Sequence, residues 1–316
     1  MTHDFHPQLP PPLQPGNLLR VIAPSGALRE LEACQKGIAI WRSHGYRVEL
    51  PTNYNAREGY LAGTDTERRQ QLALAWHDPQ CHGILCTRGG YGSARLLENW
   101  TWTQTQYSTA KFPTPHSPLP TPHSSKWLIG FSDITNLLWS LAQFGISGVH
   151  GPVLTTLANE PEWSLNRLFD CVEGRPVAPL TGIGWGGGKV SGRLLPANLT
   201  VATHLLGTPL QPPFKDLILA LEDVTEAPYR IDRMLTQWRM SGALKSVKGI
   251  ALGRFSRCDP PPDVPSWTVE EVLRDRLSDL GIPIVSNLPF GHDGTNAVLP
   301  VGQLVELDAD KGILYC

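Results

Sequence analysis

Between residues 17 and 131 short apolar runs alternate with amphipathic stretches, and that alternation constrains the fold more than any single motif. "NLLRVIAP" reads as a strand, "LEACQKGIAIWRSHG" as a helix stopped by Gly45, "YRVELP" as a second strand and "DTERRQQLALAWHD" as an Asp-capped amphipathic helix. "HGILCTRGGYG" is a third strand that runs into glycines, and "KWLIGF" is a fourth. The pattern implies a mostly parallel sheet with helices on both faces, because each strand must cross back over the sheet before the next can pair. In such sheets ligands sit beyond the C-terminal strand ends. Ser25, Arg88 to Gly92 and Ser132 all fall at such ends.

The second half repeats the theme. "LPANLTVATHLLG" is expected as a helix, "DLILALED" as a strand, "PYRIDRMLTQWRMSG" as a Pro-started, Gly-stopped helix and "VKGIALGRF" as a strand. "TVEEVLRDRLSDLG" follows as a Thr-capped helix, and "AVLPVGQLVELDADKGILYC" as short closing strands. The glycine-rich "TGIGWGGGKVSG" leaves few side chains to pack and marks a boundary between Gly174 and Gly188. The expected organisation is a Pro-rich tail over 1–16, an N-terminal α/β domain over 17–174, a linker over 175–187 and a C-terminal domain over 188–316. Within the first domain, residues 101–126 lack apolar periodicity and repeat "PTPHS", so they read as a mobile low-complexity insert. His116 and His123 reflect that repeat rather than a metal site.

With 27 Lys and Arg against 29 Asp and Glu, no charge excess points to nucleic acid or an anionic membrane. The opening "MTHDFHPQLPPPLQPG" has neither a basic nor an apolar leader region, and no stretch approaches a membrane span, so a soluble cytoplasmic protein is expected. Six scattered cysteines fit a reducing compartment. Cys81 and Cys86, with His82 between them, lie on a strand whose alternate side chains face opposite ways; they read as core thiols, not metal ligands.

Ser132 in "LIGFSDITNLL" has two readings. It is an ordinary helix-capping serine, or it sits on a strand-to-helix turn that exposes its hydroxyl as a nucleophile. The turn departs from G-x-S-x-G, since Gly130 is present but Ile134 replaces the second glycine. A nucleophilic serine needs a base and the base an orienting carboxylate. His292 lies in the Gly-rich loop "LPFGHDGTN", and Glu222 ends the strand "LILALED", with Asp223 and Glu226 as rival acids. "TRGGYGSAR" offers backbone amides for an oxyanion and Arg88 for a substrate carboxylate, although a plain turn explains the glycines equally well, and Arg230 and Arg233 in "YRIDR" are as plausible for structural pairing. The "VIAPSG" turn gives Ser25 a modest supporting role.

"LCTRGGYGSARLL", "LIGFSDITNLL", "HGPV", "PANLTVATHLLGTP", "ALEDVTEAPYRIDRML" and "LPFGHDGTNAVLPVG", in that order, resemble the LD-carboxypeptidase family, the serine-type muramoyl-tetrapeptide carboxypeptidases. The resemblance implies an α/β fold with a flavodoxin-like or amidotransferase-like N-terminal parallel sheet domain and a smaller C-terminal α/β domain, the site lying in the cleft between them. By the same resemblance Ser132 is the nucleophile, Glu222 the acid and His292 the base, with oxyanion amides at Asp133 and at Gly89 or Gly90. The implied reaction releases terminal D-alanine from a murein peptide, without metal or cofactor, in a homodimer. Two alternatives are a hydrolase of aminoacyl-nucleotide amides like the microcin C self-immunity enzymes, with Trp185 as an adenine platform, and a non-catalytic anion- or nucleotide-binding module.

Overall fold

The computed structural model describes residues 5–98, 100–102 and 125–316; the "PTPHS" repeat, His116 and His123 lie outside them. In the first half the strands are β1 (Leu18–Ile22), β2 (Arg47–Glu49), β3 (Cys81–Cys86), β4 (Trp127–Gly130) and β5 (Val149–His150). The helices are α1 (Leu31–Ser43), α2 (Asp65–His77), α3 (Ser93–Leu97), α4 (Thr135–Gln143), α5 (Leu154–Leu157) and α6 (Glu162–Val172). The second half contributes β6 (Leu180–Thr181), β7 (Ile183–Trp185), β8 (Lys189–Asn198), β9 (Leu217–Val224), β10 (Gly249–Ser256), β11 (Ile284–Ser286), β12 (Leu299–Pro300), β13 (Leu304–Asp308) and β14 (Ile313–Tyr315). Its helices are α7 (Leu199–Leu205), α8 (Pro228–Met240) and α9 (Val269–Leu277).

These strands form a six-stranded sheet in the order β12-β5-β4-β3-β1-β2 and an eight-stranded sheet in the order β6-β14-β13-β8-β9-β10-β11-β7. The expected parallel arrangement holds for β2-β1-β3-β4-β5, and the second sheet has its own parallel centre, β8-β9-β10-β11. One strand crosses between the halves. Leu299 and Pro300 of β12 pair antiparallel with His150 and Val149 and so edge the first sheet. The glycine-rich segment is not featureless either, since its β6 and β7 edge the second sheet on opposite sides. The amino-terminal segment is tied to the body: Trp127 Nε1 donates to the Pro11 carbonyl at 2.8 Å, and Leu13 is buried.

Two local expectations need correction. The helix at 65–77 is capped by Thr64, which forms a capping box with Glu67, while Asp65 is its first helical residue and pairs with Arg95 and Arg68. "LPANLTVATHLLG" is a helix only from Leu199; Leu195–Asn198 end β8, paired in register with Leu219–Glu222 of β9, and the Asn198 side chain caps α7. The Thr268 cap of α9 is present as expected. Cys81 and Cys86 are both buried, on opposite faces of β3, and His82 near the start of the strand is exposed.

A continuous apolar core joins the two halves, including Leu128, Phe131 and Trp139 from one and Leu195, Leu221 and Trp238 from the other. Trp139 of α4 reaches across it and donates its indole N–H to the Pro196 carbonyl at 3.0 Å. Each large apolar side chain so buried contributes roughly 1.5–3 kcal/mol, and this shared core fixes where the strand ends of the two sheets meet. Among the described residues no helix is long and apolar enough to cross a membrane.

Candidate active site

β4 ends at Gly130 and the chain turns sharply into a 3₁₀ turn over Ser132–Ile134 that leads to α4. Ser132 sits in the left-handed region with φ 62°, a conformation that costs an L-residue about 1 kcal/mol or more and is kept where the surroundings enforce it. Neither N-cap position, Phe131 or Ile134, makes a side-chain cap, so the turn is held without the serine-capping bond that one reading of the sequence anticipates. The unusual Ile134 is accommodated by Gly130. A Cβ on Gly130 would lie 2.9 Å from Ile134 Cγ1, so one glycine leaves room for the branched side chain two residues beyond the serine. On the other side Gly89 presses against the serine: a Cβ there would lie 2.9 Å from Ser132 Cβ and 3.0 Å from its Oγ.

Asp133 ties together the three turns at the strand ends. Its buried Oδ2 accepts the Ser25 hydroxyl at 2.6 Å and the Ser93 amide at 2.8 Å, and its carbonyl accepts Ser93 Oγ at 2.6 Å and Asn136 Nδ2 at 2.9 Å. Ser25 is fully buried and its hydroxyl is spent on this bond, which gives the "VIAPSG" turn a bracing role. The sequence reading valued Asp133 only for its amide.

His292 and Glu222 meet over the same strand ends. His292 Nδ1 lies 2.6 Å from Glu222 Oε2, and Glu222 is completely buried. A carboxylate only accepts, so Nδ1 carries the proton and Nε2 keeps its lone pair. Asn198 Nδ2 donates to the other oxygen, Glu222 Oε1, at 3.3 Å and to Asp223 Oδ1 at 3.2 Å. Asp223 is engaged elsewhere: Oδ2 accepts the Thr200 amide and hydroxyl, both at 2.8 Å. Burial first, and then the neighbouring Glu222 charge, pushes its pKa up to about 6. Glu226 faces Arg230 at 3.4 Å, and Arg230 and Arg233 flank the Tyr229 ring.

Ser132, His292, Arg88, Gly89 and Gly90 line one cavity of about 330 Å³, with Phe131, Val153, Thr155 and Glu30 among its walls. Arg88 is braced at its rim, donating to the Ala27 carbonyl at 3.1 Å and lying 3.3 Å from Glu30. Trp185 lies outside this cavity, buried on β7 with the Arg274 guanidinium 4.4 Å over its ring.

Two residues behind the cavity escaped the sequence reading. His150, from "HGPV", is fully buried, and neither ring nitrogen has a partner among the described residues. Its ring stands edge-on to Phe131 and Phe290, with centroids 5.9 and 6.3 Å away, and burial, aided by His292, pushes its pKa down to about 3. Glu160, between α5 and α6, is also buried, and its Oε2 accepts Ser164 Oγ at 2.7 Å and the Asn296 amide at 2.8 Å. Asn296 Oδ1 in turn accepts the Gly291 amide at 3.1 Å, next to His292.

Residues 19–151 match the LD-carboxypeptidase N-terminal domain and residues 191–307 the LD-carboxypeptidase C-terminal domain. The chain belongs to the LD-carboxypeptidase family. The family is one of hydrolases, and the sequence resemblance named it correctly. This LD-carboxypeptidase family member is 60% identical over 305 residues to a putative carboxypeptidase of Synechocystis sp., covering 96% of each chain. The crystal structure of muramoyltetrapeptide carboxypeptidase from Oxalobacter formigenes superposes with a TM-score of 0.76 at 29% identity, over 94% of this chain and 97% of that one. The microcin C7 self immunity protein in complex with aspartyl sulfamoyl adenosine gives a TM-score of 0.82 over 98% of both chains, but at 20% identity that likeness speaks of the fold alone.

Proposed function

We propose that this LD-carboxypeptidase family member is a serine carboxypeptidase that releases the terminal D-alanine of murein tetrapeptides, with Ser132, Glu222 and His292 as its triad. The observation that carries the reading is the 2.6 Å His292–Glu222 pair facing the cavity that also holds Ser132 on its left-handed turn. His292 Nε2 takes the Ser132 proton as Oγ attacks the carbonyl carbon of the diamino-acid residue, and Glu222 holds the imidazole and stabilises its cation. The backbone amides of Asp133 and of Gly89 or Gly90 receive the oxyanion. The imidazolium then protonates the departing D-alanine amine, leaving an acyl-serine that water hydrolyses with His292 again as base. Arg88 offers its guanidinium to a substrate carboxylate. The related muramoyltetrapeptide carboxypeptidase supports the substrate class, and the family resemblance implies a cytoplasmic homodimer.

Trp185, the residue suggested as the purine platform for an aminoacyl-nucleotide substrate, is buried beneath Arg274. A non-catalytic anion module built on "VIAPSG" is disfavoured because the Ser25 hydroxyl is committed to Asp133. The deciding experiment is incubation with murein tetrapeptide and mass spectrometry for released alanine, beside an aminoacyl-sulfamoyl adenosine and the D-alanine amide of the same peptide. The tetrapeptide is expected to show much the highest kcat/KM, and amidation of its terminal carboxylate to remove most of that rate. Equal or better cleavage of the adenosine compound overturns the substrate and leaves the serine mechanism standing.

A further inference from the structure

A second cavity, of about 420 Å³, adjoins the first and shares Arg88 and Gly90 with it; its other walls are Gly26, Ala27, Arg29, Tyr60 and Tyr91. Arg88 and Gly90 thus border both cavities, so a ligand in the Ser132 cavity can extend past them into the second. Tyr60 and Tyr91 are 63% and 52% exposed, their ring centroids 5.8 Å apart, so two aromatic faces stand open to one ligand. Neither ring is on a loose loop. The Tyr60 carbonyl accepts the Ala27 amide at 3.0 Å, Leu61 bridges to Gly26, and Tyr91 lies two residues before α3, whose Arg95 is clamped on Asp65. Beside Arg88, the groove holds Arg29, which is exposed and has no ion-pair partner among the described residues.

A carboxypeptidase that removes one residue has a short leaving-group side and a long acyl side, so a groove running away from the nucleophile receives the acyl side. In a murein tetrapeptide the acyl side carries the free α-carboxylate of a γ-linked D-glutamyl residue and, before the peptide is cut from its glycan, an N-acetylmuramyl ring. A carboxylate is met by a guanidinium, and a sugar's C–H face packs on exposed aromatic rings. We infer that this groove is the acyl-side subsite of the proposed carboxypeptidase, with Arg29 holding the D-glutamyl carboxylate and Tyr60 and Tyr91 forming the platform for the attached sugar. The inference rests on the murein reading and extends it to the part of the substrate remote from the scissile bond.

The test compares kcat/KM for three substrates: the D-glutamyl tetrapeptide, its D-isoglutaminyl counterpart in which that carboxylate is an amide, and the muramyl tetrapeptide. In the unmodified enzyme the acid is expected to be preferred over the amide by about tenfold, mostly through KM, as befits one charge-assisted contact. Added salt should shrink the preference, because the contact is exposed. Arg29→Gln should bring the acid-to-amide ratio close to one, and Tyr60→Ser with Tyr91→Ser should abolish the preference for the muramyl peptide over the free peptide. Ratios that survive these substitutions overturn the subsite even when every tetrapeptide is cleaved. A tyrosine variant that changes the mass in light scattering and leaves the ratios alone also overturns it, and makes the patch a subunit contact. Failure of the unmodified enzyme to cleave any tetrapeptide overturns the murein reading and the subsite with it.

Discussion

Glu160 Oε2 accepts the backbone amide of Asn296 at 2.8 Å, so a buried carboxylate between α5 and α6 anchors the loop that presents His292. Removing it leaves a buried amide unpaired, at about 1–3 kcal/mol, and frees the imidazole from its seat. Glu160→Ala should lower kcat tenfold or more, by order of magnitude, with little change in KM. Glu160→Gln, whose amide oxygen can still accept both donors, should retain most of the rate. Equal losses in the two variants would show that the negative charge matters rather than the anchor.

Ser132→Ala, Glu222→Ala and His292→Ala should each fold normally and lose roughly a thousandfold or more in kcat, with double variants little worse than single ones, because such residues act as a unit. Glu226→Ala should remain active, since that carboxylate faces Arg230. Steady-state assays on tetrapeptide with circular dichroism as the folding control check both statements. A Ser132→Ala protein with most of its activity would sink the mechanism.

Gly89→Ala places a methyl group 2.9 Å from Ser132 Cβ. Because about 1 Å of misplacement at a nucleophile costs on the order of a hundredfold, kcat should fall by that amount while the melting temperature moves by only a few degrees. A fully active Gly89→Ala enzyme would mean that the "RGG" turn yields without disturbing the serine.

His150 supplies a pH signature of stability. Its folded pKa of about 3 lies below the ordinary histidine value, so between pH 3 and about 6.5 the unfolded chain binds a proton that the folded chain does not. Its contribution is therefore present above about pH 6.5 and is lost on acidification, at up to about 1.4 kcal/mol per pH unit. His150→Phe should flatten the fall in melting temperature between pH 7 and pH 4.5. Parallel melting curves for the two proteins across that range would refute a buried neutral imidazole.

Replacing residues 105–124 by a short Gly/Ser link should leave the melting temperature nearly unchanged, since loop closure costs only about 0.6 kcal/mol per doubling of length. The described residue at the near end is itself anchored: Trp102 packs on Trp76 and donates to Ser140 Oγ at 2.9 Å. A large drop in melting temperature would show that the replaced tract packs on the body. Lost turnover at an unchanged melting temperature would give it a part in catalysis.

The strand-helix alternation of the first half was legible because period-two and period-3.6 patterns differ over whole segments. Leu195–Asn198 misled for the opposite reason: four residues ending in a cap look helical until their partner, Leu219–Glu222, is beside them. Strand ends brought Ser132, Glu222 and His292 forward as candidates, but neighbouring acids on one strand point to opposite faces. Which of Glu222 and Asp223 meets the histidine depends on packing that no local pattern records. Asp133, His150 and Glu160 were missed in their present roles for the same reason. Their partners lie on other turns, and a buried histidine in "HGPV" reads no differently from an exposed one.

The antiparallel pairing of β12 with β5 also sets a timetable for synthesis. Val149 and His150 are translated about 150 residues before Leu299 and Pro300 arrive to cover them, an interval of roughly 8 to 30 seconds at ordinary elongation rates. During that interval the nascent first half carries an open sheet edge, the kind of surface that recruits chaperones or pairs with another chain. The histidine of "FGH" emerges only in the closing moments of the same interval, so with the proposed triad a ribosome-bound fragment would hold its serine without its base, and the finished chain would gain that site and its sealed edge almost together.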